Sequence, residues 1–219
     1  TDFLAISLST LDNIGHRWGP GSREVHDHLL NLDRYLGWFL DSLARTVPLD
    51  QVVISLTADH GVVEFPEAGR GGRATISAQL RTLNQWAQAR WGLKLEASNQ
   101  GGLVLANTKD LKARGVNVDS LATAMARELR ALPGVRAVYT PRSLAAAPRT
   151  DREAGLWRRQ ISVPTEWLVA VALKPDWIWG SGKSSTSHGT TNPDDMIVPI
   201  LFRVPGVPAA RVTSRARTI

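Results

Sequence analysis

Residues 51–61 read QVVISLTADHG. Gln51 to Thr57 is a short, mostly apolar run rich in β-branched residues, the pattern of a buried strand. It runs straight into Ala58-Asp59-His60-Gly61. A carboxylate and an imidazole therefore emerge at the end of an apolar strand, and Gly61 lets the chain turn there. In open α/β sheets the ligand site lies outside the carboxyl ends of the strands. This stretch predicts an α/β fold with chemistry at a strand end. A helix-capping Asp beside an incidental His is the alternative reading of the same residues.

Two other stretches have the same character. Phe3–Ser9 (FLAISLS) reads as a second buried strand, and the loop after it carries Asp12-Asn13-Ile14-Gly15-His16. Carboxylate oxygen and imidazole nitrogen both suit Zn²⁺, although a turn Asp and a surface His look alike in isolation. Ser187-His188-Gly189-Thr190 lies in a polar loop, Gly180 to Asp195, before a last strand at Ile197–Val204. The chain has five histidines, and three of them sit in these stretches. His26 and His28 fall off the apolar stripe of a long helix and read as solvated positions.

The rest of the chain supplies a frame. Val25, Leu29, Leu32, Leu36, Phe39 and Leu43 recur at alternating four and three, predicting a helix from about Ser22 to Leu43. Ala74–Trp91 reads as another helix, with Gly92 where a C-terminal cap belongs. Strands at Gly102–Ala106, Val135–Tyr139 and Trp167–Leu173, a helix at Ser120–Leu132 and a charged loop at Arg149–Arg159 suggest a small α+β insertion at 95–175. Strands alternating with helices argue for a mainly parallel sheet flanked by helices.

Composition bounds the function. The 219 residues are 43% hydrophobic and 21% charged, enough for a packed core. There is no cysteine, so any metal is held by nitrogen and oxygen. The net charge is +6, but the basic residues form no run, which argues against a nucleic-acid partner. No stretch is long and apolar enough for a membrane-spanning helix. The chain opens within the first strand pattern, so an N-terminal segment is expected to precede it.

Taken together, STLDNIGHRWGPGS (9–22), TADHG (57–61) and HGTTNPDDMIVP (188–199) resemble the alkaline phosphatase superfamily. The resemblance is to its C-terminal part, among bacterial alkaline phosphatases related to type I phosphodiesterases and nucleotide pyrophosphatases. It implies that 1–94 and 176–219 belong to the metal-binding core. It also implies two zinc ions, one held by Asp12, His16 and His188 and the other by Asp59 and His60, and a Thr or Ser nucleophile lying outside this chain. Such a pair of ions activates the nucleophile and neutralises the charge of an in-line displacement. Two carboxylates against two dications leave excess positive charge for a phosphate ester. Asp195 is a candidate to orient His188 from behind, with a turn Asp as the other reading. The expected reaction is hydrolysis of phosphate esters, with monoesters ahead of diesters or nucleotide pyrophosphates, in the periplasm or outside the cell. A non-catalytic metal-binding fragment is the contrasting reading.

Overall fold

The computed structural model describes residues 2–182 and 185–213. Lys183 and Ser184 of the polar loop, Thr1, and residues 214–219 of the expected core lie outside the described residues. The chain begins with α1 (Thr10–Trp18), α2 (Arg23–Ala44) and β1 (Ile54–Thr57). β2 (Gly72–Ala74), α3 (Ser77–Trp91), β3 (Ser98–Gln100), β4 (Leu103–Leu105), α4 (Thr108–Ala113) and α5 (Val118–Arg130) follow. It continues through β5 (Val135–Tyr139), α6 (Pro141–Ala146), α7 (Arg152–Gln160), β6 (Trp167–Leu173) and β7 (Trp177–Trp179), and ends with α8 (Pro193–Met196) and β8 (Ile200–Arg203).

The principal sheet is built around β6, whose sequence WLVAVAL is buried at every position but the first. Such a strand needs a neighbour on each side and cover on both faces. It has β4 on one side and β5 on the other, in the order β3-β4-β6-β5, all antiparallel. α5 lays Ala122, Met125, Ala126 and Leu129 onto this sheet, and α3 adds Leu83 and Ala87 to the same core. Local signals start and stop these helices. The Asn117 side chain accepts from the Ser120 amide at 2.9 Å, capping α5. Gly92 ends α3 at φ 65°, a left-handed cap that glycine adopts without penalty. A smaller cluster of Leu144, Ala154, Trp157 and Ala170 closes the far side of β6.

Four expectations are corrected. Arg149–Arg159 is not a loop: residues 152–160 form α7, capped by Asp151, which accepts from the Ala154 amide at 3.0 Å. The Asp12–His16 stretch is not a loop either, because it lies within α1. Phe3–Ser9 is not a strand. Residues 2–8 have no regular structure, and Phe3 is 93% exposed, with Leu4, Ile6 and Leu8 also at the surface. A strand exists only through a ladder partner, and this segment has none among the described residues. Finally, β1 is neither buried nor in a parallel sheet. It pairs antiparallel with β8 from Ile54↔Arg203 to Thr57↔Ile200, and three of its four residues are exposed. β2 and β7 form the parallel pair among the described strands. The layout is still α/β, with helices packed on mixed parallel and antiparallel pairs.

Candidate metal centre

α1 puts Asp12 and His16 one turn apart on the same helix face. The His16 Nε2 lies 3.5 Å from Asp12 Oδ2. β1 delivers Asp59 and His60 just past its end, after Ala58, and His60 Nε2 is 3.5 Å from Asp59 Oδ2. His188 arrives from a segment far along the chain, with its Nε2 3.7 Å from Asp12 Oδ1. Its ring stacks on His60 at 3.4 Å between centroids and 17° between planes, and lies 4.9 Å from the His16 ring. All five sequence-derived candidates therefore meet. The tightest set is Asp12, His60 and His188, whose donor atoms lie within 4.8 Å of one another. That set draws on all three segments, with His16 against Asp12 and Asp59 against His60.

Backbone hydrogen bonds explain why these segments converge. The Thr186 amide donates to His16 O and the Val63 amide to Ser187 O, at 2.8 and 3.2 Å. The buried Thr186 hydroxyl donates to Val63 O at 2.5 Å. Gly61 donates to Asp195 O at 2.7 Å. A Cβ at Gly61 would stand 1.9 Å from Asp194 O, so only glycine fits there. Gly15 is less constrained, since a Cβ there meets Val62 at an ordinary 3.5 Å.

Two further bonds bear on the imidazole tautomers. His16 Nδ1 lies 2.8 Å from Thr186 O, and His60 Nδ1 lies 3.0 Å from Gly61 O. A carbonyl oxygen can only accept, so each Nδ1 carries a proton, and in the neutral ring the lone pair is then on Nε2. That is the arrangement of a metal-ligating histidine backed by a carbonyl. Burial, and next the neighbouring His60, hold the His188 imidazole below its ordinary pKa, against the opposing pull of Asp12. A neutral ring is the form that binds metal.

The donor set fits a dication. Asp12 Oδ1 is buried with no hydrogen-bond partner among the described residues, a costly state for a carboxylate oxygen unless a cation satisfies it. Three imidazoles and two carboxylates suit a divalent metal ion, zinc among others. Asp59, with its side chain 87% exposed, opens the site to solvent.

Asp195 is buried but does not reach the His188 ring. Its carboxylate accepts from the Thr190 amide at 2.7 Å and from the Thr190 hydroxyl. Burial pushes its carboxyl above the usual carboxylate range, opposed by those two bonds. Trp177 and Trp179 pack against the core, whereas Trp18 is exposed. His26 and His28 stay on α2, away from the cluster. The sequence reading missed the helical setting of Asp12 and His16. The spacing of four was the available signal, and Gly15 inside it disguised a helix.

Comparison with known proteins extends the geometry. Residues 1–193 match the family model described as type I phosphodiesterase / nucleotide pyrophosphatase. The chain is 42% identical to alkaline phosphatase PhoV of Synechococcus elongatus, over 94% of its own length and 38% of that protein. It is 30% identical to a Myroides odoratus protein named calcium-transporting ATPase, over 97% and 40%. The crystal structure of alkaline phosphatase PafA superposes with a TM-score of 0.80 at 22% identity, over 94% of this chain and 40% of that one. The chain thus spans about 40% of the length of these relatives. With its three motifs gathered at one site and nearly its whole length aligned, the chain belongs to the type I phosphodiesterase / nucleotide pyrophosphatase family, among relatives that include bacterial alkaline phosphatases.

Proposed function

We propose that this chain carries most of a two-zinc centre that hydrolyses phosphate esters, with monoesters as the preferred substrates. The observation that carries this reading is the convergence of Asp12, His60 and His188 to within 4.8 Å from three separate segments. Asp12, His16 and His188 would hold one ion, and Asp59 and His60 the other. Bound there, the ions would supply charge neutralisation and nucleophile activation for an in-line displacement. The chain's own residues do the rest. The carbonyls of Thr186 and Gly61 fix the protons of His16 and His60 on Nδ1, keeping both Nε2 atoms available. The protein ligands leave the site net positive once loaded, which favours a phosphate dianion over a neutral ester.

The nucleophile, a Thr or Ser, and the remaining ligands lie outside this chain, in an N-terminal part of the same protein. The length of the relatives supports this. So do the uncovered apolar residues of 2–8, α2 and β1. Hydrolysis requires that part. Segments 1–94 and 176–219 form the metal-binding region and 95–175 the inserted unit. The relatives named alkaline phosphatases support a periplasmic or secreted enzyme acting on small phosphate esters. No helix of the described residues is long and apolar enough to cross a membrane.

The family model's description favours a second reading, a phosphodiesterase. Comparing a phenyl phosphate monoester with the corresponding diester on the full-length protein decides between them by kcat/KM. The primary test is His188→Ala in the full-length protein. Loss of zinc together with loss of monoesterase activity is expected. Full activity with full zinc content would overturn the reading.

A further inference from the structure

His188 is the ligand that comes from farthest along the chain, and it sits in a loop. Something must hold that loop to within a few tenths of an ångström if its imidazole is to share an ion with residues on α1 and after β1. Of the five polar residues between it and Met196, Thr190, Thr191, Asn192 and Asp195 are buried, the last two at 2% and 3% exposure, and Asp194 is exposed. Buried polar side chains persist where they are hydrogen-bonded to a purpose.

Their bonds form a continuous chain between two parts of the molecule. On one side, Asn192 Nδ2 donates to Lys174 O at 3.0 Å, at the end of β6. Lys174 is itself tied down, its amide donating to Gly134 O at 2.8 Å beside β5. Arg136 on β5 reaches Thr191 Oγ1 at 3.5 Å and pairs with Glu153 on α7. On the other side, Asp195 O accepts from Gly61 at 2.7 Å, one residue past His60. Between them, the Asn192 amide donates to Thr190 Oγ1 at 3.1 Å. The Thr190 amide and hydroxyl both donate to Asp195 Oδ2, and Asp195 N donates back to Asn192 O at 3.2 Å. The ring closes two residues from His188.

We propose that Asn192, Thr190 and Asp195 are positioning residues that set His188 against His60, by pinning the 188–196 segment between the end of β6 and Gly61. None of the three is a candidate ligand. They act through the backbone, so the β5–β6 unit acts as a strut for a metal ligand that lies outside it. This rests on the two-zinc reading above and adds the residues that hold its farthest ligand in place.

The test uses full-length protein and zinc itself. Zinc affinity is measured by competition with a chelator, per folded molecule, for wild type, Asn192→Ala, Thr190→Val, Asp195→Ala and Asp195→Asn. Asn192→Ala, Thr190→Val and Asp195→Ala are expected to weaken zinc binding roughly 10- to 100-fold, the range for removing a group that supports a ligand. Asp195→Asn keeps an acceptor oxygen for Thr190 and is expected to stay within about threefold of wild type, whereas a role in net charge would make it as damaging as alanine. A second readout needs no metal. In the zinc-free protein, the Thr190 amide should be protected from hydrogen exchange, and Asn192→Ala should remove that protection. Should Asn192→Ala fail to fold, Thr190→Val and Asp195→Ala still decide. Wild-type zinc affinity in Thr190→Val and Asp195→Ala, or a fall in melting temperature alone, overturns the proposal. A wild-type protein that binds no zinc would instead sink the two-zinc reading beneath it.

Discussion

The region of α1, α2, β1 and β8 and the region built on β6 differ in nearly every physical respect. The first carries every candidate ligand before His188, yet leaves Leu29, Leu30, Trp38, Phe39, Leu56, Leu201 and Phe202 exposed. The second carries no ligand motif and holds almost all of the buried apolar side chains. Chemistry and stability are therefore divided along the chain. The region with the candidate ligands leaves its apolar side chains exposed, and the β6 region holds the packed core.

The sharpest way to break this comparison is to attack the core. Leu168→Ala removes a fully buried side chain on β6 and should lower stability by about 2–5 kcal/mol in denaturant unfolding. A cost below about 1 kcal/mol would mean that the sheet is not the stabilising body. The next effect in size lies at the site. Gly61→Ala forces a Cβ into Asp194 O and should cost roughly 1–3 kcal/mol. It should also weaken zinc binding in the full-length protein, because Gly61 links His60 to Asp195. Unchanged zinc affinity would show that the close approach has no bearing on the ligands.

A smaller effect concerns pH and belongs to the β6 region. Burial, and then its hydrogen bond to Asp151, push the Tyr139 hydroxyl up to about 12. A group raised in the folded state stabilises below its unfolded value, so this contribution is present up to pH ~10 and is lost as pH rises towards 12. The Ala154 amide, and then Tyr139, hold the Asp151 carboxyl below its usual range. That contribution is present above the ordinary carboxylate pKa and fades as pH falls through the depressed value. Tyr139→Phe should flatten the alkaline limb of a stability-against-pH curve, and an unchanged limb would refute the assignment. The smallest effect is expected on α2. Trp38→Ser on the surface exposed here should change the stability of this chain by no more than about 0.5 kcal/mol. A loss above 2 kcal/mol in the full-length protein would show that the remainder of the polypeptide covers that face.

Legibility followed this division for the strands, whereas the helix α2 was read to within about a residue. β5 and β6 were read with the right ends, and α3 and α5 to within a few residues, because their partners lie within the described residues and apolar pattern and burial agree. α7 escaped notice because Arg152, Glu153, Arg158 and Arg159 mask the three-residue spacing of Ala154 and Trp157, although the Asp151 cap was available as a signal. FLAISLS and QVVISLT have the composition of buried strands, yet one forms no ladder among the described residues and the other lies exposed on an antiparallel pair. Composition reports what a segment suits, whereas burial depends on what lies opposite. The convergence of the candidate residues could be anticipated because their residue types are chemically demanding and sit at motif spacing. The buried bonds of Thr190, Asn192 and Asp195 could not, because Thr, Asn and Asp in a loop look like ordinary turn residues.

The claim on which the rest depends is that Asp12, His16, Asp59, His60 and His188 surround metal. Anomalous diffraction at the zinc edge from crystals of the full-length protein tests it directly. The account predicts zinc peaks at about 2.0–2.2 Å from the oxygen and nitrogen donors of these five side chains. Zinc peaks elsewhere, with Asp12, His60 and His188 bound to none of them, would contradict it.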